Sequence, residues 1–302
     1  MTGKRLLSSA ITAVVLSGVS VFANAGDWQA LPDVAPAPAD NPTTDAKVEL
    51  GKMLYMDPRF SSTGTVSCNS CHNVMEGGED SRSVSMGVHG KMGGRNAPTV
   101  WNSAFHSVQF WDGRAALLED QAKGPVANPV EMGMEDVDTA MDRVRKISGY
   151  KPYFEKAFGK DSMTVDNAAK AVAAFERTLI TPNSPYDKYV KGDKKAMTEQ
   201  QIRGMETFAS AGCTSCHSGA AFNGPKMEFG QGFYSKFPTF TENNPYDKKY
   251  NLSADKGREE ATGKKADAHM FRVPTLRNIT DTAPYFHNGS VNDLSEAVRV
   301  IA

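Results

Sequence analysis

Two pentapeptides carry the chemistry open to this sequence: Cys68-Asn69-Ser70-Cys71-His72 and Cys213-Thr214-Ser215-Cys216-His217. Together they use all four cysteines of the chain. The spacing Cys-x-x-Cys-His is the attachment signature of a c-type haem. Two thiols on one turn can bond the two vinyl groups of a porphyrin, and the imidazole of the next residue faces the iron as its proximal ligand. A structural zinc held by two Cys-x-x-Cys pairs is the main alternative. It calls for pairs closer together, and it leaves the histidine after each pair unexplained. A thioredoxin-like redox pair calls for a βαβ setting that the pattern lacks. A disulfide framework belongs to chains far shorter than 302 residues. The expectation is two covalent haems, one in each half.

The N-terminus bears on that expectation. Lys4 and Arg5, an apolar run from Leu6 to Phe22 and the triplet Ala23-Asn24-Ala25 are the three parts of a secretory signal peptide over residues 1–25. The apolar run is broken by serines and Gly18 and falls short of the ~20 residues a membrane span needs. Cleavage after Ala25, no membrane span and a periplasmic address are therefore expected, and the periplasmic side is where bacteria attach haem covalently. Removing 25 of the 302 residues leaves 277, enough for two domains at about 100–200 residues each. Lys4 and Arg5 go with the leader, so 34 basic and 35 acidic residues become 32 and 35, with no block of like charge. That balance argues against nucleic acid and anionic membrane as partners.

The elements that must position the two motifs read as mainly helical with long loops. Residues 26–45 are a Pro- and Ala-rich lead-in without regular structure. Thr44 and Asp45 cap a helix expected over Ala46 to Met56, with Val48, Leu50, Met53 and Leu54 on its buried face. After His72, glycines crowd residues 77–94, and a loop this long is functional or mobile. It carries His89, which is either a surface histidine or an imidazole that the loop delivers to the open face of the first haem. A helix is expected over Arg114 to Lys123, stopped by Gly124-Pro125. Trp101 and Trp111 flank this region, and aromatics at such density are core residues before they are anything else. Helical spacing recurs over Asp136 to Ile147, Pro152 to Phe158 and Val165 to Thr178, and residues 181–189 make the crossing between halves. Thr198 and Gln201 open a helix over Gln200 to Ala209 with Ile202, Met205 and Phe208 inward. Gly204-x-x-x-Phe208 before the second motif echoes Gly51-x-x-x-Tyr55 before the first, the mark of a duplicated helical haem domain. Residues 219–268 are mostly loop, the stretch from Met270 lines the space between haems or domains, and Asp293 to Val300 is helical. The expected domains are 46–190 and 191–302.

The text of the chain resembles the bacterial dihaem cytochrome c peroxidases across essentially all of the part after the leader. The residues that carry the resemblance are LGKMLYMDPRFS, SCNSCHNV, GRNAPTVWN, QFWDGRAALLEDQAKGPV, NPVEM, LITPNSPYDKYVKGD, GCTSCHSG and FRVPTLRNITDTAPYFHNGSV. It implies two cytochrome-c-like helical domains, each with one covalently bound c-type haem. The N-terminal haem, on Cys68, Cys71 and His72, is then peroxidatic, and the C-terminal haem, on Cys213, Cys216 and His217, transfers electrons. His89 falls on the family's distal histidine, which leaves the peroxidatic iron when the other haem is reduced. Glu131 matches the distal carboxylate that moves a proton between the peroxide oxygens. Gln121 matches the amide that orients peroxide or its water, and Trp111 the tryptophan between the haems. Asn96 by its side chain, with Thr282 and Pro284 by their carbonyls, match an inter-domain calcium site, for which oxygen ligands suit a hard cation. Hydrogen peroxide, a small reduced cytochrome c or cupredoxin as donor, and a homodimer complete what the family implies.

One position departs from the family. Its electron-transferring haem takes a methionine as second axial ligand, and thioether ligation raises that haem's potential. The aligned residue here is Ile301, which cannot ligate iron, and the chain stops at Ala302 where the family continues. Another ligand, an open position or a shortened form follows; Met227 and Met270 lie in the same half, and neither sits in a motif that assigns it. Two other readings stand beside the peroxidase. One is a dihaem electron carrier with both irons permanently six-coordinate. The other is a related dihaem enzyme oxidising protein tryptophans, a group that places a tyrosine on one haem, with no matching tyrosine found here.

Overall fold

The computed structural model describes residues 28–239 and 244–302. The expected signal peptide lies outside the described residues. Helices α1 (Asp45–Met56), α2 (Cys68–Cys71), α3 (Leu118–Gln121), α4 (Gly124–Ala127), α5 (Val137–Arg145), α6 (Lys151–Phe158), α7 (Val165–Glu176) and α8 (Pro185–Val190) lead to α9 (Glu199–Ser210) before the second motif. Strands β1 (Tyr234–Lys236) and β2 (Met270–Arg272) pair antiparallel, Tyr234 opposite Arg272 and Lys236 opposite Met270. Helices α10 (Pro245–Tyr250), α11 (Arg258–Thr262) and α12 (Leu294–Ile301) complete a mainly helical fold with long loops. No helix among the described residues is long and apolar enough to cross a membrane.

The packing is organised by one close helix contact. Thr44 Oγ1 accepts from Lys47 N at 3.4 Å to start α1, and Pro58 follows its end. Gly51 turns its bare Cα to α7, where an added Cβ would overlap the carbonyl oxygen of Ala171. Only a glycine on α1 and small residues on α7 (Ala168, Ala171, Ala174) let the backbones come this near. The aromatic one turn on seals the contact, with the Tyr55 and Phe175 ring centroids 5.2 Å apart. Leu50, Leu54, Met141, Val144, Phe154 and Val172 then unite α1, α5, α6 and α7 in one core. The echo in the second half does not extend to packing. Gly204 faces open space, and Ile202, Met205 and Phe208 on α9 are only half-buried.

Several expectations change for identifiable reasons. On α1 the buried face includes Lys47, while Val48 and Met53 are half-buried. The Lys47 stem is apolar, and its ammonium donates to Asn41 Oδ1 at 2.8 Å and to the Pro42 carbonyl at 3.1 Å. Residues 28–44 of the lead-in hold no helix or strand, as expected, while Asp45 already opens α1, and Leu31 and Asn41 are fully buried. The helix expected over Arg114 to Lys123 is reduced to α3. Arg114 is held outside it, 2.8 Å from Asp112 and 3.5 Å above the Phe110 ring centroid. Gly124-Pro125 starts α4 instead of stopping a helix, because proline suits a first helical turn. The crossing at 181–189 contains α8, capped reciprocally by Ser184 and Asp187. Residues 219–268 are mostly loop but hold β1, α10 and α11.

Gly51→Ala is expected to destabilise the fold by about 1–3 kcal/mol through overpacking. Gly204→Ala, in open space on a helix, is expected to be neutral or to stabilise by up to about 1 kcal/mol. Urea denaturation of the two variants measures the contrast; equal losses would remove the close contact from the account.

Candidate active site

Each Cys-x-x-Cys-His turn is held by its own backbone device. Ser67 caps α2, its N–H donating to Ser70 Oγ at 3.0 Å, and the Tyr55 hydroxyl donates to the His72 carbonyl at 2.7 Å. The second turn, Cys213–Ser215, follows Gly212 in the left-handed conformation at φ 83°. The two proximal histidines share one arrangement. His72 Nδ1 lies 3.0 Å from the Pro98 carbonyl, and His217 Nδ1 lies 2.8 Å from the Phe222 carbonyl. A carbonyl only accepts, so Nδ1 carries the proton and Nε2 keeps its lone pair free for a metal. Burial also lowers both histidines, which keeps the rings neutral as ligands must be.

The surroundings fit a haem. All four cysteines are free thiols. Cys68 stands in the wall of an apolar cavity with Leu54, Phe60, Val126, Met132, Met141 and Val172. Burial pushes its thiol up to about 12 and that of Cys71 up to about 11, so both are held as neutral thiols in this apolar setting. In the second half, Arg272 is buried with no carboxylate on it among the described residues. Its guanidinium reaches the Phe110 carbonyl at 3.1 Å and His106 Nδ1 at 2.7 Å. Burial lowers its affinity for its proton to about 10, the state of a cation lacking its anion, and haem propionates are such anions. Arg272 lies two residues before Pro274, whose carbonyl faces His217.

The groups expected to act on peroxide fall on the first turn's side. Glu131 accepts from Asn128 Nδ2 at 2.7 Å. Burial pushes its carboxyl up, against the opposing pull of Arg114 and Asn128. Its charge reaches both Cys68 and Cys71, and its neighbour Met132 lines the Cys68 cavity. The loop bearing His89 is fastened to the same residue: Val88 N donates to the Glu131 carbonyl at 2.8 Å. Gly87 is required there, since a Cβ would overlap the Val130 and Glu131 carbonyls. His89 sits beyond, exposed, at φ 58°, ψ 22°, on a hairpin closed by the Met86–Met92 pair and a 2.8 Å bond from Gly87 N to Lys91 O. Gln121 is half-buried at the end of α3, and no hydrogen bond joins it to Glu131 among the described residues.

Trp111 and the three expected calcium ligands lie where the halves meet. Trp111 Nε1 donates to the Asn96 carbonyl at 2.9 Å, its own carbonyl accepts from Arg272 N at 2.8 Å, and its ring meets His287 edge-on at 6.5 Å. Asn96 N donates to the His287 carbonyl at 2.8 Å, and Gly77 abuts the Asp281 carbonyl. These contacts put Asn96 and the stretch from Thr282 to Pro284 along one seam. Asn96 Nδ2 is committed to the Arg82 carbonyl at 2.8 Å, which leaves its side-chain oxygen as the atom for a cation. Met227 and Met270 are both half-buried and Ile301 is exposed at the end of α12, an arrangement that assigns no second ligand to the C-terminal haem.

Sequence reasoning missed Arg272, His106 and Glu176. Glu176 was within reach: it stands four residues after Val172, on a face read as apolar.

Two haem-type turns, one facing a sheltered carboxylate, define a c-type redox protein built for small oxidants. A family model for the di-haem cytochrome c peroxidases matches residues 45–195. Cytochrome c551 peroxidase of Nitrosomonas europaea is 42% identical over 298 residues, covering 99% of this chain and 84% of that protein. The Pseudomonas aeruginosa protein of the same name is 42% identical over 262 residues, covering 86% and 72%. Methylamine utilization protein MauG of Methylophilus methylotrophus is 34% identical, covering 89% and 76%. Among solved structures, a MauG-like protein associated with microbial copper homeostasis superimposes with a TM-score of 0.77 at 31% identity, covering 89% of this chain and 80% of that one. The chain belongs to the di-haem cytochrome c peroxidase family, and it is an oxidoreductase acting on hydrogen peroxide.

Replacing Cys68 and Cys71 together by alanine is expected to halve the haem per protein and to leave the second haem's spectrum in place. A pyridine haemochrome assay measures this; retention of both haems would remove the first turn as an attachment site.

Proposed function

We propose that this chain is a periplasmic peroxidase that reduces hydrogen peroxide to two waters. Residues 46–190 carry the peroxidatic haem on Cys68, Cys71 and His72, and residues 191–302 carry the electron-receiving haem on Cys213, Cys216 and His217. When bound, haem supplies the redox-active iron that peroxide and electrons reach. The reaction consumes two protons and two electrons, and the polypeptide must manage both.

Glu131 manages the protons. A carboxyl raised by burial holds and releases a proton nearer neutral pH than an exposed one, so it can accept from the near peroxide oxygen and deliver to the far one. Gln121 orients peroxide or its water by its amide. His89 would act as a gate, a residue that could hold the first haem's iron and give it up once the protein is half-reduced. Its left-handed backbone on a glycine-rich hairpin suits a segment with two positions. Electrons come singly from a small reduced cytochrome c or cupredoxin, and the relatives' name, cytochrome c551 peroxidase, supports the first of these. Trp111, which contacts both halves, would lie on the electrons' way between the two haem-bearing halves. Calcium bound by Asn96, Thr282 and Pro284 would brace the seam in which Trp111 sits. Ile301 has no atom that could hold the C-terminal haem, and no other residue is assigned to that role. The observation that carries this reading is the bond from Val88 N to the Glu131 carbonyl, which ties the His89 hairpin to a half-buried acid whose neighbour Met132 lines the Cys68 cavity.

Turnover of a reduced small cytochrome c by peroxide is expected only after half-reduction of the protein. Activity of the fully oxidised form at the same rate would sink the gate. His89→Gly is expected to react with peroxide without prior reduction, which stopped-flow spectra will show directly. Glu131→Gln is expected to lower kcat by about 10²–10⁴-fold while both haems stay bound; an unchanged kcat would take the proton role from this residue.

A further inference from the structure

The peroxidase reading leaves one buried acid unused. Glu176 closes α7 with only 6% of its surface exposed, and its Oε2 has no hydrogen-bond partner among the described residues. It continues at four-residue spacing the helix face that Ala168 and Val172 present to the Cys68 cavity. Its charge acts on Cys68 and on the Tyr55 hydroxyl, itself bonded to the His72 carbonyl.

The neighbouring charges do not pair with it, although Arg177 pulls its carboxyl down against burial. Arg177 is next in sequence, but its guanidinium forks onto Glu119 at 2.8 and 3.0 Å and onto the Pro36 carbonyl at 3.2 Å. Glu119 adds a negative charge that opposes ionisation of Glu176. Lys47 on α1 is turned to Asn41 and Pro42, and Arg114 acts on Glu131. Burial is the largest influence and pushes the Glu176 carboxyl up to about 8. A carboxylic acid whose ionisation burial opposes thus ends the helix whose Ala168 and Val172 line the cavity of the cysteine that attaches the first haem.

We infer that Glu176 is a redox-linked proton carrier of the first haem pocket, binding a proton when the iron attached through Cys68 is reduced and releasing it when that iron is oxidised. The balance is one for one at a pH where the acid is ionised beside ferric iron: ferric iron, an electron, the Glu176 carboxylate and a proton give ferrous iron and the Glu176 acid. An added electron makes the pocket one charge more negative, and in a poorly solvated site that charge disfavours a nearby carboxylate. Linkage is reciprocal, so ionised Glu176 favours the oxidised iron by the same factor. One proton can therefore be taken up as the electron arrives, inside the pocket where water formation consumes protons. The inference rests on haem attachment at Cys68.

The test is the midpoint potential of the first haem in the holoenzyme against pH, for wild type, Glu176→Gln and Glu131→Gln. The wild-type potential is expected to fall as pH rises through about 8. Glu176→Gln is expected to be flat over that range and to lose a protonated-carboxyl band from the redox-difference infrared spectrum. Glu131→Gln, altering the other acid of the pocket, is expected to keep the slope. If wild type and Glu176→Gln track each other and share every carboxyl band, the inference is overturned. Absence of the first haem from wild type, seen in the same spectra, would instead overturn the function proposed above. If Glu176→Gln fails to hold haem, Glu176→Asp replaces it: a shifted band supports the assignment, and an unshifted band with an unaltered slope overturns it.

Discussion

The buried carboxylate of Asp187 is the interaction on which the arrangement of the two haem turns depends. It is fully shielded from solvent and accepts from Arg277 Nη1 and Nη2 at 2.8 and 2.9 Å, from Leu31 N at 2.8 Å and from Ser184 Oγ at 2.6 Å. Burial alone would raise its pKa, but these donors hold it below the ordinary carboxylate value. A charge taken out of water is tolerable only with such complete pairing. The three donor segments are the lead-in, the start of α8 and the C-terminal stretch, so none of them can be misplaced without stranding the charge. Arg277 also grips the Ala220 carbonyl at 2.6 and 3.0 Å, two residues before the Phe222 carbonyl that orients His217. The position of the second proximal imidazole is thereby tied to an acid from the other half of the chain.

The two turns rest on unlike foundations. The first is fixed by Tyr55 from the tight α1–α7 core. The second leans on an aromatic group of distant origin: Trp28 meets Tyr186 at 6.3 Å and Phe208 at 6.5 Å, and Tyr186 meets Phe222 at 5.0 Å. The Arg277 guanidinium covers both Tyr186 and Phe222, at 5.0 and 5.3 Å from their ring centroids. Planar cations and aromatic faces attract most where water is excluded. Duplication is thus visible in the pattern of each half but not in what each half packs against.

The sequence made legible what depends on local chemistry. The haem turns, the Thr198–Gln201 cap and the helices α5, α6 and α7 follow from spacing and capping residues within a few positions of one another. Family likeness supplied Glu131 and His89, and the fold puts their segments in contact. Features that depend on partners far along the chain were not legible. Nothing near Lys47 says that Asn41 and the Pro42 carbonyl will receive its ammonium. Nothing near Arg114 says that Asp112 and Phe110 will draw it out of a helix. The buried roles of Asn41, Asp187 and Arg272 arise only when remote segments meet. Glu176 is an intermediate case, since helical spacing already placed it on the inner face, where an acid required an explanation.

The bond from Val88 N to the Glu131 carbonyl, with Gly87 pressed against the same peptide, has a mechanical consequence. A hairpin fastened in this way cannot swing as an independent flap. It must either shed a hydrogen bond at its root or pull the backbone of residue 131 along with it. Under the proposed mechanism, admission to the pocket and placement of its acid would be degrees of freedom on a common shaft. A side chain at position 87 would jam that shaft, leaving the imidazole and the carboxylate chemically intact and their movements uncoupled.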